Sequence, residues 1–317
     1  MLKQTDLKTF PSIYEFECKT QTVLTLGTFD GVHLGHQAIL KKLKDSGAAL
    51  QCETVVLTFF PHPRMVLQQD SAIKLLNTIG EKTFLLDKAG VDNLVVHPFD
   101  AAFSQLTAED FVTEVLVKQF NIAKIIIGYD HRFGKNRSAT IDDLVVFGEK
   151  YNFEVEQISA EEINKVSISS TKIRKALETG AIALANEYLG YDYFFTGTVV
   201  EGKKIGRTLG FSTANIKVDD AFKLIPLDGV YVVSSVIGGA KVFGMMNIGT
   251  NPTLGGKNKS IEVHFLNYDA NLYGMELRIT VHERLRNEMK FPSLEVLKEQ
   301  LAQDREQALR FIARIVS

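Results

Sequence analysis

Short runs of β-branched and aliphatic residues recur through the first 160 positions: VLTL (23–26), TVVLTF (54–59), NLVVHPF (93–99), KIIIGY (124–129) and FEVEQI (153–158). Between them, stretches such as HQAILKKLKDSG and TAEDFVTEVLVKQF repeat their apolar residues at the helical period. Strand and helix alternate, which predicts an α/β fold with a doubly wound parallel sheet and helices on both faces. Thr107, with Asp110 three positions later, has the spacing of an acidic helix N-terminal capping box. Beyond about residue 190 the rhythm changes. YDYFFTGTVV, GVYVVSSVIG, AKVFGMMNIG, SIEVHFLN and ELRITVHERLR are strand-like, joined by Gly, Pro and Asn without helical periodicity. This half predicts an antiparallel barrel or sandwich.

The tail predicts a terminal packing helix: Ser293, after Pro292, caps a stretch in which Leu294, Leu297, Leu301, Ala308, Phe311 and Ile312 fall at helical spacing. Residues 171–189 are helix-like and stop before Gly190, so the domain boundary is placed there, giving domains 1–189 and 190–317. The length agrees, since 317 residues make two domains of about 100–200 residues each.

Charge narrows the partners. With 36 basic and 38 acidic residues, net −2, no basic face predicts nucleic acid or an anionic membrane as partner, and any polyphosphate site must be local. No stretch approaches the ~20 apolar residues of a membrane span, and the N-terminus has no signal-peptide core, so a cytoplasmic location is expected. Cys18 and Cys52 are too few for a disulfide scaffold and lack metal-ligand spacing, which fits a reducing compartment. A homo-oligomer is left open.

The chemistry-bearing stretch is TLGTFDGVHLGHQ (25–37), where a strand gives way to a helix. His33 and His36, three apart, project to one side of a helical turn, and Gly31 and Gly35 allow close backbone approach. A helix N-terminus presents unpaired N–H groups and partial positive charge suited to phosphate. Such a group can bind a polyphosphate and stabilise charge developing on its oxygens, leaving the nucleophile to the substrate. The residues alone also allow two structural histidines at a turn, or a metal site completed by His62 or His97. In ISSTKIR (168–174), Ser169 or Ser170 can cap the next helix and offer hydroxyls to phosphate, while Arg174 can clamp it through two donors. The alternative there is an ordinary capped helix with a solvated arginine.

GTFDGVHLGH together with ISSTKIR, in one alternating half, resembles the HxGH nucleotidyltransferase superfamily of Rossmann-like fold. In that family these motifs hold the phosphates of ATP while a substrate attacks the α-phosphorus and pyrophosphate leaves. In the second half GRTLGFSTANI (206–216), PLDGVYVV (226–233), NIGTNPT (247–253), SIEVHFLN (260–267) and RLRNEMKFPSLEVLKEQLAQD (284–304) resemble, in order, the riboflavin kinase barrel. The two halves together resemble the bacterial bifunctional riboflavin kinase and FAD synthetase family, from Leu24 to Asp304.

The resemblance implies riboflavin, FMN and ATP as substrates, Mg2+ as cofactor, FMN formation in the barrel and FAD formation in the first half. An alcohol nucleophile needs a base and an ionised phosphate does not, so only the barrel needs one. The family assigns that role to Glu262 and the Mg-ATP site to Thr213 and Asn215. Gly206, Arg207 and Gly210 would shape a phosphate-facing loop, and Arg286, Lys290 and Phe291 a flavin-side loop. By residue type alone Glu262 can be an outward strand residue in a surface ion pair, the commoner fate of a lone Glu, and the flavin-side loop a solvated charged turn.

In the first half the family places ATP along Gly27, Phe29, Asp30, His33, Gly35 and His36, with Ser169, Ser170, Thr171 and Arg174 as the second motif. The flavin side would comprise Phe59 and His62 of TFFPHP, with Asp130, Arg132 and Phe133 of GYDHRFGKNRSA; Arg132, Lys135 and Arg137 read equally as an exposed basic loop. Two positions depart from the family. Ser212 replaces a proline, which keeps open an adenylyltransferase whose barrel binds flavin but is impaired as a kinase. His131 replaces a phenylalanine. A non-catalytic flavin-binding protein is the rival from another class.

Overall fold

The computed structural model describes residues 6–67, 73–128, 131–159, 168–202, 210–253 and 256–316, with the side chains of 251–253 and 256–258 excepted. Of the predicted site residues, Asp130, Gly206 and Arg207 lie outside them. The chain divides into two compact units, the first ending at Ser169 and the second beginning at Ser170.

In the first unit the strands are β1 (Lys8–Phe10), β2 (Thr22–Leu26), β3 (Glu53–Phe59), β4 (Asn93–His97), β5 (Ile122–Gly128) and β6 (Glu154–Ile158). They form one sheet in the order β1-β4-β3-β2-β5-β6, parallel at every pairing. The helices are α1 (Leu34–Leu50), α2 (Pro63–Leu67), α3 (Ile79–Lys88), α4 (Ala108–Asp110, continuing as a π-helix over Phe111–Gln119) and α5 (Ile141–Tyr151). Successive strand residues point to opposite faces. Leu24, Val55, Val95 and Ile125 pack with Val112, Leu116 and Leu144 in one cluster, whereas Val23, Val56, Leu94 and Ile126 pack with Ile39, Leu40 and Leu86 in another. Helices thus cover both faces, which is why the central strands bury apolar residues on both sides. Each fully buried leucine or isoleucine contributes about 1.5–3 kcal/mol. The chain winds outward from β2 to β4 on one side and from β5 to β6 on the other. The direction reverses between β2 and β5, the place where open α/β sheets bind ligands.

The doubly wound prediction holds, and Thr107 Oγ1 accepts the Asp110 N–H at 3.1 Å as its capping spacing requires. Two details differ. β1 escaped prediction because three residues carry no readable period, and the strand begun at Asn93 stops at His97 instead of reaching Phe99.

The second unit is a closed antiparallel barrel of β7 (Phe194–Val200), β8 (Ala214–Lys217), β9 (Gly229–Ile237), β10 (Ala240–Thr253), β11 (Gly256–Phe265) and β12 (Glu276–Arg286), in the order β10-β11-β8-β7-β12-β9. Two helices precede it, α6 (Ser170–Glu178) and α7 (Ile182–Leu189), and α8 (Leu294–Val316) closes the chain. The predicted helix over 171–189 is broken at Gly180 (φ +77°), where a Cβ would meet the Arg284 side chain at 2.8 Å, so glycine is needed there. Gly190 ends α7 in the left-handed conformation. By contacts α6 and α7 belong to the barrel unit, although the sequence reading groups them with the first domain. Ala308 of α8 packs on Val232 and Met245, with Phe311 and Ile312 beside it, but Leu294 is 55% exposed and stands off the stripe.

A polar network joins the barrel to α7. His282, on β12, has Nδ1 2.8 Å from Asp192 Oδ2 and Nε2 2.8 Å from Ser234 Oγ. Asn186 of α7 donates to Asp192 Oδ1 at 2.9 Å and to the Val281 carbonyl at 3.0 Å. The distances resemble a hydrolytic triad, but Ser234 is only 3% exposed, so no substrate carbonyl reaches its hydroxyl. The group is structural. His282→Leu strands the buried Ser234 hydroxyl and is expected to destabilise the barrel by about 1–3 kcal/mol, measured by denaturant unfolding. An unchanged midpoint and slope would show that the network contributes nothing.

Candidate active site

The histidine motif sits directly after β2, at the reversal point of the sheet. Its backbone is unusual: Phe29 (φ +45°), Gly31 (φ +88°) and Val32 (φ +37°) all occupy the positive-φ region. For the β-branched Val32 this is sterically costly, and such strain persists only where surrounding contacts hold it. Those contacts are visible. Asp30 is buried, and its Oδ1 accepts the N–H groups of Leu76 (2.9 Å) and Asn77 (3.3 Å). The Thr28 carbonyl accepts from Lys82 Nζ at 2.7 Å and from Thr58 Oγ1 at 3.2 Å. Gly27 N–H donates to Leu57 O at 3.1 Å, tying the turn to β3.

His33 is the N-cap of α1, and its Nδ1 accepts the His36 N–H at 3.4 Å, which places its proton on Nε2. The His33 and His36 rings stack at 3.7 Å between centroids, and Phe29 lies 4.9 Å from His36. Burial pushes His33 down to about 4 despite the nearby Asp30 carboxylate. Burial, then the neighbouring His33 and Lys82, hold His36 well below its ordinary value. Both rings are therefore neutral at pH 7. His36 Nδ1 is buried without a hydrogen-bond partner among the described residues. Gly35 is buried in the first turn of α1.

Beside the turn, part-exposed aromatic rings line the ends of β3 and β4. Phe59 has Phe99 at 5.5 Å and Phe103 at 5.4 Å, and His97 lies 4.6 Å from Phe103. Phe133 is buried, 6.0 Å from Phe111, and backs this wall from the core. His131 stacks parallel to Phe133 at 6.3 Å. Arg132, Lys135 and Arg137 are exposed. His62 Nδ1 accepts the Arg64 N–H at 3.1 Å, and His97 Nδ1 accepts the Ile13 N–H at 3.4 Å. Both Nδ1 atoms are thus occupied by backbone N–H groups, and no three His, Cys, Asp or Glu side chains gather as a metal site among the described residues. Of ISSTKIR, Ser169 ends the first unit, while Ser170, Thr171 and Arg174 form the start of α6 in the second.

In the barrel unit, Glu262 lies on β11 between buried Ile261 and Val263, so alternation puts it on the outer, half-buried face. Its strand partners are Asn215 on β8 and Asn247 on β10. Thr213 Oγ1 donates to Glu262 Oε2 at 3.3 Å. Among the described residues no Lys or Arg pairs with Glu262. The Asn215 side chain lies so close over Gly202 that a Cβ there would meet its Nδ2 at 2.0 Å. Gly210 (φ +84°) precedes this group with open space around it. These are hard oxygen donors, the kind magnesium prefers.

The predicted flavin-side loop is clamped. Arg286 donates from Nε to Asp304 Oδ1 at 2.9 Å and from Nη2 to Oδ2 at 2.8 Å, and its guanidinium lies 5.6 Å from the Phe291 ring. Asp304 on α8 is buried and also accepts from Gln300. Arg286 thus shapes the loop through Asp304, while Lys290 is exposed. Glu288 of the same loop returns to β10, where a Cβ on Gly249 would meet its Oε1 at 2.2 Å.

Sequence reasoning missed Lys82, Asn77, Phe99, Phe103, Asp304 and Glu288. A signal existed for the first: Lys82 and Leu86, four apart on α3, share its buried face, an unusual place for a lysine.

The first unit is thus a parallel α/β sheet with a histidine-capped helix at its reversal point, and the second a closed antiparallel barrel in which Glu262 stands beside Thr213 and Asn215. Residues 15–172 match the family model described as FAD synthetase, and residues 189–312 the one described as riboflavin kinase. A bifunctional riboflavin kinase/FMN adenylyltransferase of Escherichia coli strain K12 is 37% identical over 290 residues, covering 91% of this chain and 92% of that protein. Its counterpart from Listeria monocytogenes is 38% identical over 295 residues, 92% of this chain and 93% of that one. The chain belongs to the bifunctional riboflavin kinase/FMN adenylyltransferase family. A crystal structure described as a macrolide-efflux protein from Streptococcus pneumoniae superimposes with TM-score 0.87 at 30% identity, covering 95% of this chain and 97% of that one. That description is the other protein's, and here no helix among the described residues is long and apolar enough to cross a membrane.

Proposed function

We propose that the chain makes FAD from riboflavin in two ATP-consuming steps, one in each half. In the barrel the ribityl hydroxyl attacks the γ-phosphorus of ATP, Glu262 accepts its proton, and FMN and ADP result. In the first half an FMN phosphate oxygen attacks the α-phosphorus of a second ATP, pyrophosphate leaves, and FAD results. His33 Nε2–H and the His36 ring act there as neutral hydrogen-bond donors to phosphate oxygens, beside the N-terminus of α1. Thr213 Oγ1 and the Asn215 amide oxygen would hold magnesium arriving with ATP, which would supply neutralisation of the phosphate charge. The part-exposed rings of Phe59, Phe99 and Phe103 suit a flat flavin.

The observation that carries this reading is that both halves keep their chemistry-bearing groups in one chain: the stacked histidine pair capping α1, and Glu262 held by Thr213. The FAD synthetase match runs through Ser169, Ser170 and Thr171, which supports assigning ISSTKIR to adenylyl transfer. The riboflavin kinase match begins at residue 189, which supports 1–189 and 190–317 as the functional domains. The Ser212 carbonyl accepts from His264 Nδ1 at 2.8 Å, a contact proline would keep, which supports a working kinase site. Both cysteines are free, in keeping with a cytoplasmic setting.

The test is a time course with riboflavin, ATP and magnesium, resolved by chromatography. FMN should rise and then give way to FAD. FAD from added FMN, with none from riboflavin, would leave the barrel as a binding module.

A further inference from the structure

Lys82 is 5% exposed, yet among the described residues its ammonium bonds only neutral oxygens, the Thr28 carbonyl at 2.7 Å and Thr58 Oγ1 at 3.3 Å. A desolvated cation without a bonded carboxylate is costly, and a purely structural donor to one carbonyl would not need a full charge. The groups that face it electrostatically are Asp30 on the turn and His36 on α1. On its own helix, Glu81 is turned away, capping the Thr78 N–H at 3.0 Å. Two further buried polar groups at the same turn lack partners among the described residues: His36 Nδ1, and both amide atoms of Asn77, which is 3% exposed. Buried polar groups without partners at the same turn as a cation that bonds no carboxylate mark a place built for an anionic, hydrogen-bonding ligand.

We propose that Lys82 is the electrostatic positioning residue of the adenylyl-transfer site, holding the strained 28–33 turn and supplying the positive charge that the two neutral histidines lack. This rests on the reading of the first unit as an FMN adenylyltransferase. A triphosphate arriving at the N-terminus of α1 would then be balanced by a charge already in place, with no proton uptake and no reorganisation. Burial lowers Lys82 to about 8, so the free protein loses this charge as pH rises through that value. Asp30 opposes the loss; His36 stays neutral throughout that range and does not titrate with it.

The experiment measures FAD formation from FMN by the full chain between pH 6 and 10, for wild type, K82R and K82M. FMN formation from riboflavin on the same samples controls for enzyme amount, and circular dichroism for folding. Wild type should show an alkaline fall in kcat/KM for ATP centred near pH 8. K82R, which keeps its charge, should retain activity and lose that fall, whereas K82M should lose about 100-fold in kcat/KM with kinase activity unchanged. FAD formation by folded K82M at the wild-type rate overturns the proposal. So does an alkaline fall of unchanged midpoint in K82R, a result that stands even where K82M does not fold. Wild type making no FAD from FMN overturns the adenylyltransferase reading itself, and the proposal with it.

Discussion

Glu262→Gln abolishes FMN formation from riboflavin while FAD formation from added FMN continues. The substitution keeps the shape of the side chain and an acceptor for Thr213 Oγ1, so the fold and the β11 pairing to Asn215 and Asn247 survive. What it removes is the capacity to take a proton from an alcohol whose own acidity is far too low to ionise at neutral pH. General-base catalysis contributes about 10²–10⁴-fold, and a loss of that size in kcat, with KM for riboflavin little changed, is the expected result. The measurement is initial FMN formation by chromatography, with FAD formation from FMN on the same sample as control. A loss confined to KM would mean that Glu262 binds substrate and does not handle the proton.

His36→Ala has the opposite pattern: FMN accumulates from riboflavin and FAD does not follow. The His36 ring stacks on His33 and lies against Phe29, so its removal costs one donor to the phosphates and loosens the other histidine. Removing one preorganised donor to developing charge costs about 10²–10³-fold, and the loss of stacking adds to it. Because both rings are held neutral, the histidine contribution should show no titration near the ordinary imidazole value. A wild-type kcat/KM for FAD formation with an acid limb near pH 6.5 that vanishes in His36→Ala would overturn the neutral-donor role.

The strand–helix alternation, the capping of α4 by Thr107 and the terminal helix were legible because each is a local period or a local cap. The histidine pair was legible for the same reason: three residues of spacing at a helix start define their common side. Features made by distant residues were not. Lys82 reaches Thr28 across 54 positions, Asp30 takes its hydrogen bonds from Leu76 and Asn77, and Arg286 is neutralised by Asp304 on the terminal helix. The short strands β1 and β8 also escaped, three and four residues being too few to display a period. The resemblance pointed to STAN as the Mg-ATP loop, but that its asparagine lies directly beside Glu262 depends on strand register.

By itself, then, the sequence determined the two-unit architecture, the chemistry available at each motif and the family. Periodicity, turn residues and motif spacing are properties of neighbours along the chain. Tertiary structure decided which of those groups carry charge and which are committed to holding the fold. Burial made two histidines neutral and left Lys82 as the cation beside them, while Asp304 on the terminal helix fixed the Arg286 guanidinium. Desolvation and partner choice depend on what packs around a residue, and packing is settled only when distant segments meet.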